Sequence, residues 1–179
     1  TSLHVWYGNG SSFTFASRWT GTSYNANKIV GRVVSGDFDR DGKRDDIAAI
    51  YDYDTWQIGI HVWRSLTPTS FSSPTLWYSS TAYSPSKIAH RVVSGDFDRD
   101  GFCDDIATFY ESSTFVMALH VFKSNTTSFD NPVTFYTNDD YSVSKITGRV
   151  VSGDFDRDGY YDDISAFYDY SNNDISLHV

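Results

Sequence analysis

The chain contains few of the residues that commonly cross-link or anchor small proteins. Its 179 residues include one cysteine, Cys103, so no disulfide can form within the chain. No run of about 18 apolar residues occurs, and the opening TSLHVWYGNG lacks the basic and apolar regions of a signal peptide. These absences predict a soluble chain without membrane insertion, in a mature or trimmed form.

Basic residues are also scarce. The chain has 14 Lys and Arg against 23 Asp and Glu, which gives a formal net charge of −9 at pH 7. Phosphate backbones and anionic lipid surfaces repel such a chain, so nucleic acid is excluded as a partner. No stretch has apolar residues at helical spacing over three turns, and we therefore expect very little helix.

A threefold repeat dominates what is present. The stretch VVSGDFDRDGKRDDIA at residues 33–48 returns with small changes at 92–107 and 150–165. Fixed-period self-similarity of this kind indicates tandem structural units. The arginines that precede the three copies, Arg32, Arg91 and Arg149, divide the chain into residues 1–31 (the end of one unit), 32–90, 91–148 and 149–179 (the start of another).

Each unit is predicted to contain four short strands. In residues 32–90, the β-branched and aromatic stretches are RVVSGDF, DIAAIYDY, IGIHVWR and TLWYSS, separated by turn-forming residues. The fold class is therefore all-β, and tandem four-stranded units favour a β-propeller. Since about four blades are the usual minimum for a closed ring, we expect either a homo-oligomer that completes the ring or a segment of a longer propeller.

The charged loop between the first two strands has the ligand order of a calcium site. Asp37, Asp39 and Asp41 stand at positions 1, 3 and 5, the carbonyl of Lys43 falls at 7, and Asp45 stands at 9. About three Ca²⁺ sites follow, because the pattern recurs twice. The equivalent ligands are Asp96, Asp98, Asp100, the Phe102 carbonyl and Asp104 in the second loop, and Asp154, Asp156, Asp158, the Tyr160 carbonyl and Asp162 in the third.

The loop differs from an EF-hand, whose twelfth position is a glutamate. Ala48, Ala107 and Ser165 stand there instead. The next aspartates, Asp46, Asp105 and Asp163, are expected to bond the turn or support the ligands. Calcium is a poor generator of hydroxide, so we expect it to stabilise the hairpin.

GDFDRDGKRDDIAAIYDY resembles the FG-GAP or VCBS repeat, whose D-x-D-x-D-G-x-x-D loop binds calcium within a propeller blade. The resemblance covers all three units and implies that their matching aspartates are ligands. The literal FG and GAP segments are not present, so an integrin-like partner is not implied. Some propeller lectins of similar composition carry such loops and bind sugars between blades, whereas other members mediate protein contacts.

No nucleophile, zinc or phosphate-binding motif occurs. The histidines His4, His61, His120 and His178 recur with the repeat, which favours packed or rim residues over catalytic bases. An enzyme is thus the least favoured class, and a binding protein is predicted.

A recurring connection between units carries an aromatic ring, a tyrosine, a lysine and an arginine. Rings stack on sugar faces and basic groups donate hydrogen bonds to hydroxyls, so a multivalent lectin is the first hypothesis. A protein-interaction or adhesion module, or a non-catalytic propeller domain of a secreted protein, is the alternative. The same side chains could instead pack between blades or pair with the acidic loops. The candidate glycan-binding residues are Trp19, Tyr24, Arg32, Trp77, Tyr83, Arg91, Phe135, Tyr141 and Arg149.

Two N-x-S/T sequons, at Asn9 and Asn125, occupy equivalent predicted turns. They support a secreted, extracellular protein, in which weak calcium sites would be filled.

Overall fold

The computed structural model describes residues 1–54, 56–113, 116–171 and 174–179. Within them, the regular structure is β-strand apart from three short 3₁₀ turns, at Ala26–Ile29, Pro85–Lys87 and Val143–Ile146. None of the described helices could cross a membrane. The predicted all-β class is confirmed. The strands are β1 (Ser2–Gly8), β2 (Phe13–Thr20), β3 (Val33–Gly36), β4 (Asp46–Asp52), β5 (Ile58–Trp63), β6 (Ser65–Thr67), β7 (Ser70–Phe71), β8 (Thr75–Ser80), β9 (Val92–Gly95), β10 (Asp105–Ser113), β11 (Val116–Phe122), β12 (Val133–Asn138), β13 (Val150–Gly153), β14 (Asp163–Ser171) and β15 (Asp174–His178).

The sheets follow the repeat. Strands β3, β4, β5 and β8 form one four-stranded antiparallel sheet, and β9 to β12 form a second in the same order. The first two strands pair as β1–β2, and the last three form β13–β14–β15. The sheets are separate antiparallel groups, and the described residues do not form a closed ring. A small β6–β7 hairpin lies where the sequence indicated only a turn.

The core lies between consecutive sheets. Every residue of β5 is buried, although a sheet packed on one side only would expose alternate residues of the strand. Its Ile60 and Val62 share a cluster with Ile106 and Phe122 of the next sheet, which therefore covers one of its faces. Full burial of such a side chain stabilises the fold by about 1.5–3 kcal/mol, which explains the continuous apolar run.

Consecutive units contact each other through their first strands. The Ser94 hydroxyl donates to the Ser35 carbonyl, and the Ser152 hydroxyl donates to the Ser94 carbonyl. Strands β3, β9 and β13 therefore lie side by side in chain order. The acidic loops that follow these strands are consequently brought next to one another.

Candidate functional site

The three acidic loops occupy equivalent places, between β3 and β4, β9 and β10, and β13 and β14. Gly42 has a φ of +88°, in the left-handed region that a glycine adopts without strain. Arg40, two residues earlier, also has a positive φ of 59°. This tight turn directs alternate side chains toward one another.

Carboxylate oxygens converge in each loop. They lie within 4.8 Å of one another in the groups Asp37/Asp39/Asp41 and Asp96/Asp98/Asp100. The third group is Asp154/Asp156/Asp163, so Asp163 takes the place that Asp158 was predicted to fill. Each group could hold a metal ion.

Four carboxylate oxygens on predicted ligands are buried without a hydrogen-bond partner among the described residues. They are Oδ1 of Asp37, Asp98, Asp104 and Asp162. A buried polar atom without a partner is unfavourable by about 1–3 kcal/mol, and more when charged. A hard divalent cation would provide these oxygens with the partner they lack, so the donor sets fit Ca²⁺.

The turn-bonding role predicted for Asp46 and Asp105 is confirmed. Asp46 accepts the amides of Asp39 at 2.9 Å and Ser65 at 2.7 Å. Asp105 repeats both bonds, with Asp98 at 3.0 Å and Ser124 at 2.9 Å. Each carboxylate thereby fixes its loop against the end of the third strand.

Burial shifts the protonation of these carboxyl groups. It raises the pKa of Asp46 to about 6 and that of Asp105 to about 7. Burial also raises the pKa of Asp37, Asp96 and Asp104. The negative charge within the loops is therefore unfavourable in the protein alone, and a bound cation would offset it.

The ninth position differs among the loops. Asp45 is exposed, whereas Asp104 is fully buried and accepts Arg40 Nε at 2.9 Å. Asp162 accepts Arg99 Nε at 2.6 Å. These arginines were not among the predicted site residues, although Arg40, Arg99 and Arg157 recur in every DFDRDG stretch.

The seventh-position residues were predicted to offer carbonyls. In the structure, the amides of Lys43, Phe102 and Tyr160 each donate to the aspartate two residues earlier, at 2.9 to 3.1 Å. Ligation by their carbonyls stays a prediction.

The nine candidate glycan-binding residues differ in exposure, and four of them are buried. Trp77, Tyr83, Arg32 and Arg91 are buried, and a role for these four in sugar binding stays a prediction. Arg32 donates to the carbonyls of Ile50 and Lys28. Trp19, Tyr24 and Tyr141 are partly buried, and Phe135 and Arg149 are exposed.

The connection tyrosines bind the repeated histidines. Tyr83 contacts Thr108 Oγ1 at 2.7 Å and His120 Nδ1 at 3.0 Å through its hydroxyl. The other two such pairs are Tyr24–His61 and Tyr141–His178. Three equivalent pairs indicate a structural role at the junctions between units.

A different aromatic ring is exposed beside one junction. Trp56, in the turn between β4 and β5, is 58% exposed. The ammonium of Lys87 lies 5.9 Å from its ring centroid and 5.3 Å from that of Tyr110 in the next unit. Its sequence signal was a tryptophan in a polar turn, outside the repeated pattern.

No protein-family model, curated protein or solved structure matches this chain.

Proposed function

We propose that this chain is a calcium-stabilised β-propeller segment, of FG-GAP or VCBS type, that works as a secreted, non-catalytic, carbohydrate-binding module. The observation that carries the calcium part is the set of buried, unpartnered carboxylate oxygens on predicted ligands. Convergent hard oxygens around a tight turn are suited to Ca²⁺, and the same groups recur in three loops.

The propeller part rests on the arrangement of the sheets. Two complete four-stranded sheets share one core, and their first strands lie side by side. Each blade of a propeller buries both faces in this way. The ring would be completed by further copies of the chain or by further units of a longer chain.

Calcium binding is tested by unfolding the protein with calcium and with a chelator. We expect calcium to raise the melting temperature, because a ligand that binds only the folded state stabilises it by mass action. Asp37→Asn removes one charged ligand and should weaken calcium affinity by roughly tenfold or more. Asp139→Asn, at an exposed acid outside the loops, is the matched control and should leave the affinity unchanged.

Carbohydrate binding is supported by Trp56 and its surroundings. An exposed indole can stack on the apolar face of a sugar, and a neighbouring ammonium can donate to hydroxyls. Trp56 and Lys87 provide this pair next to Tyr110. The site lies where one unit meets the next.

A glycan array, run with calcium and again after chelation, tests this part. Selective binding to one sugar class should be lost in Trp56→Ala and retained in Trp6→Ala, because Trp6 is similarly exposed, at 60%, but lies on β1. No binding by folded, calcium-loaded protein would contradict the carbohydrate proposal.

A protein-interaction or adhesion module is the second candidate. It is favoured by exposed large apolar side chains on the first and last sheets, among them Phe15, Phe167 and Leu177. Contiguous apolar surface commonly marks a protein contact. Two results together would favour this candidate: no binding on the glycan array, and a stoichiometric protein complex that Phe167→Ser weakens.

A further inference from the structure

Each of two acidic loops receives a guanidinium group from the loop before it. Arg40 of the first loop donates from Nε to Asp104 at 2.9 Å and lies 2.6 Å from Asp100 through NH2. The same NH2 donates to the Ser124 carbonyl at 3.1 Å, and the guanidinium lies 4.8 Å from the Phe102 ring centroid. Arg40 therefore bridges the fifth and ninth positions of the second loop.

Arg99 repeats this arrangement one unit later. It donates from Nε to Asp162 at 2.6 Å and lies 3.0 Å from Asp158 through NH2. Its guanidinium lies 5.0 Å from the Tyr160 ring centroid. The bridge thus recurs at the same three positions of the third loop, which argues against an accidental surface pair.

The first loop has no such bridge among the described residues. Within the part of the chain that the structure describes, the only basic group paired with Asp41 is Lys43 of the same loop, and Asp45 is paired with none. Arg157 occupies the equivalent place in the third loop and also has a positive φ, of 65°, but no described carboxylate lies within ion-pair distance of it. Among the described residues, the first loop, which no arginine bridges, and Arg157, which pairs with no carboxylate, therefore serve as internal comparisons.

We propose that Arg40 and Arg99 are built-in counter-charges that order the second and third loops before a cation arrives. Two carboxylates this close repel each other, and a guanidinium between them offsets the repulsion. At Asp104 and Asp162 the arginine occupies Oδ2 and leaves Oδ1 buried and unpartnered. The first loop, whose Asp41 is paired among the described residues with Lys43 of the same loop, depends most on the cation for counter-charge, and this dependence rests on the proposed calcium function.

Hydrogen exchange with peptide-level readout tests this proposal, on monomeric protein, with calcium and with chelator. The reporters are loop amides bonded to loop carboxylates, such as those of Gly42 and Gly101, which both donate to the first aspartate at 3.0 Å. In chelator, we expect the 37–46 amides to exchange about tenfold faster than those of 96–105 and 154–163. Calcium should slow exchange most in the first loop.

Substitution of each arginine should accelerate amide exchange, in chelator, only in the loop that this arginine contacts. Arg40→Gln should accelerate exchange in 96–105 alone and Arg99→Gln in 154–163 alone, and calcium should restore the protection in both variants. Arg157→Gln, the matched control, should leave both of these loops unchanged. Arg40→Lys keeps a charge but cannot bridge two carboxylates as a guanidinium does, so its exchange rate in 96–105 should lie between those of wild type and Arg40→Gln. This variant replaces Arg40→Gln in the test if the glutamine variant does not fold.

Equal exchange of all three loops in chelator, or an Arg40→Gln variant that behaves like Arg157→Gln, would overturn the proposal. The proposal would also be overturned if calcium slowed exchange in the first loop of wild type but did not slow exchange of residues 96–105 in Arg40→Gln. If calcium slows no loop in any variant, the calcium function fails, and the comparison in chelator still decides the role of the arginines.

Discussion

Asp45 and Asp104 stand at the same position of the same motif and have different surroundings. Asp45 is exposed and without a bridging arginine among the described residues, whereas Asp104 is buried against Arg40. The motif predicts both as ligands because it records only the order of residues. The partner of Asp104 comes from the preceding unit, 64 residues away in the sequence.

The buried Tyr83 hydroxyl offers a residue-scale prediction. Tyr83→Phe leaves Thr108 Oγ1 and His120 Nδ1 without their partner, which should lower the free energy of unfolding by about 1–3 kcal/mol. Tyr170→Phe, at an exposed tyrosine whose hydroxyl contacts His178, should change it by less than about 0.5 kcal/mol. Urea unfolding measures both, and equal losses would contradict a specific role for the Tyr83 contact.

The same junctions predict a pH dependence. Burial lowers the pKa of His61 and His120, so below about pH 6.5 the unfolded chain takes up protons that the folded protein does not. The contribution of these two histidines to the free energy of unfolding should therefore fall as the pH is lowered from 6.5, by at most about 1.4 kcal/mol per pH unit for each. Asp46 and Asp105, whose pKa values burial raises, act in the opposite direction, so the histidine contribution is read from variants.

Urea unfolding at pH 7.5 and 5.5 in saturating calcium measures this dependence. The double variant His61→Gln/His120→Gln should lose less stability between the two pH values than wild type does. His4→Gln, at an exposed histidine on β1, is the control and should retain the wild-type dependence. A double variant that matches wild type would contradict the assignment.

Among the elements, the first strands of the units approach the next loop so closely that a side chain cannot fit. A Cβ on Gly95, at the end of β9, would lie 2.4 Å from the Tyr161 carbonyl oxygen, and one on Gly36 would lie 2.6 Å from that of Cys103. At Gly153, the third equivalent, the nearest atom is a flexible Phe155 ring atom at 3.1 Å.

These glycines give an element-scale prediction. Gly95→Ala should lower the free energy of unfolding by about 1–3 kcal/mol, because backbone must move to admit the methyl group. Gly153→Ala should have a smaller effect, since its nearest contact is a side chain. Thermal unfolding measures the difference, and equal destabilisation would show that the close approach between units is not the cause.

The fourth strands show how one element differs between units. Trp77 on β8 is 7% exposed because its ring packs against Phe129 of the next unit, with centroids 5.7 Å apart. Phe135 holds the equivalent place on β12 and is 47% exposed. The aromatic character of the position was predictable from the repeat, and the burial was not, because the covering ring belongs to another unit.

At the scale of the whole molecule, exposed apolar side chains on the first and last sheets predict association. If copies complete the ring, light scattering should give at least twice the chain mass of 20.2 kDa. Phe167→Ser, which makes one exposed apolar face more polar, should shift the mass toward the monomer, whereas Leu66→Ser on the β6–β7 hairpin should not. A monomer at every concentration would contradict ring completion by copies.

The repeat and the residue patterns determined the all-β class, the four strands of each complete unit and the three acidic loops. These features depend on local sequence, and each recurs: the acidic loop occurs three times and the complete four-stranded unit twice. The tertiary structure alone decided which equivalent side chains are buried, bridged or exposed, as the pairs Asp104 and Asp45, Trp77 and Phe135, and Gly95 and Gly153 show. The physical reason is that the surroundings of each position are supplied by the neighbouring unit, whose side chains and backbone lie close in space and about 60 residues away in sequence.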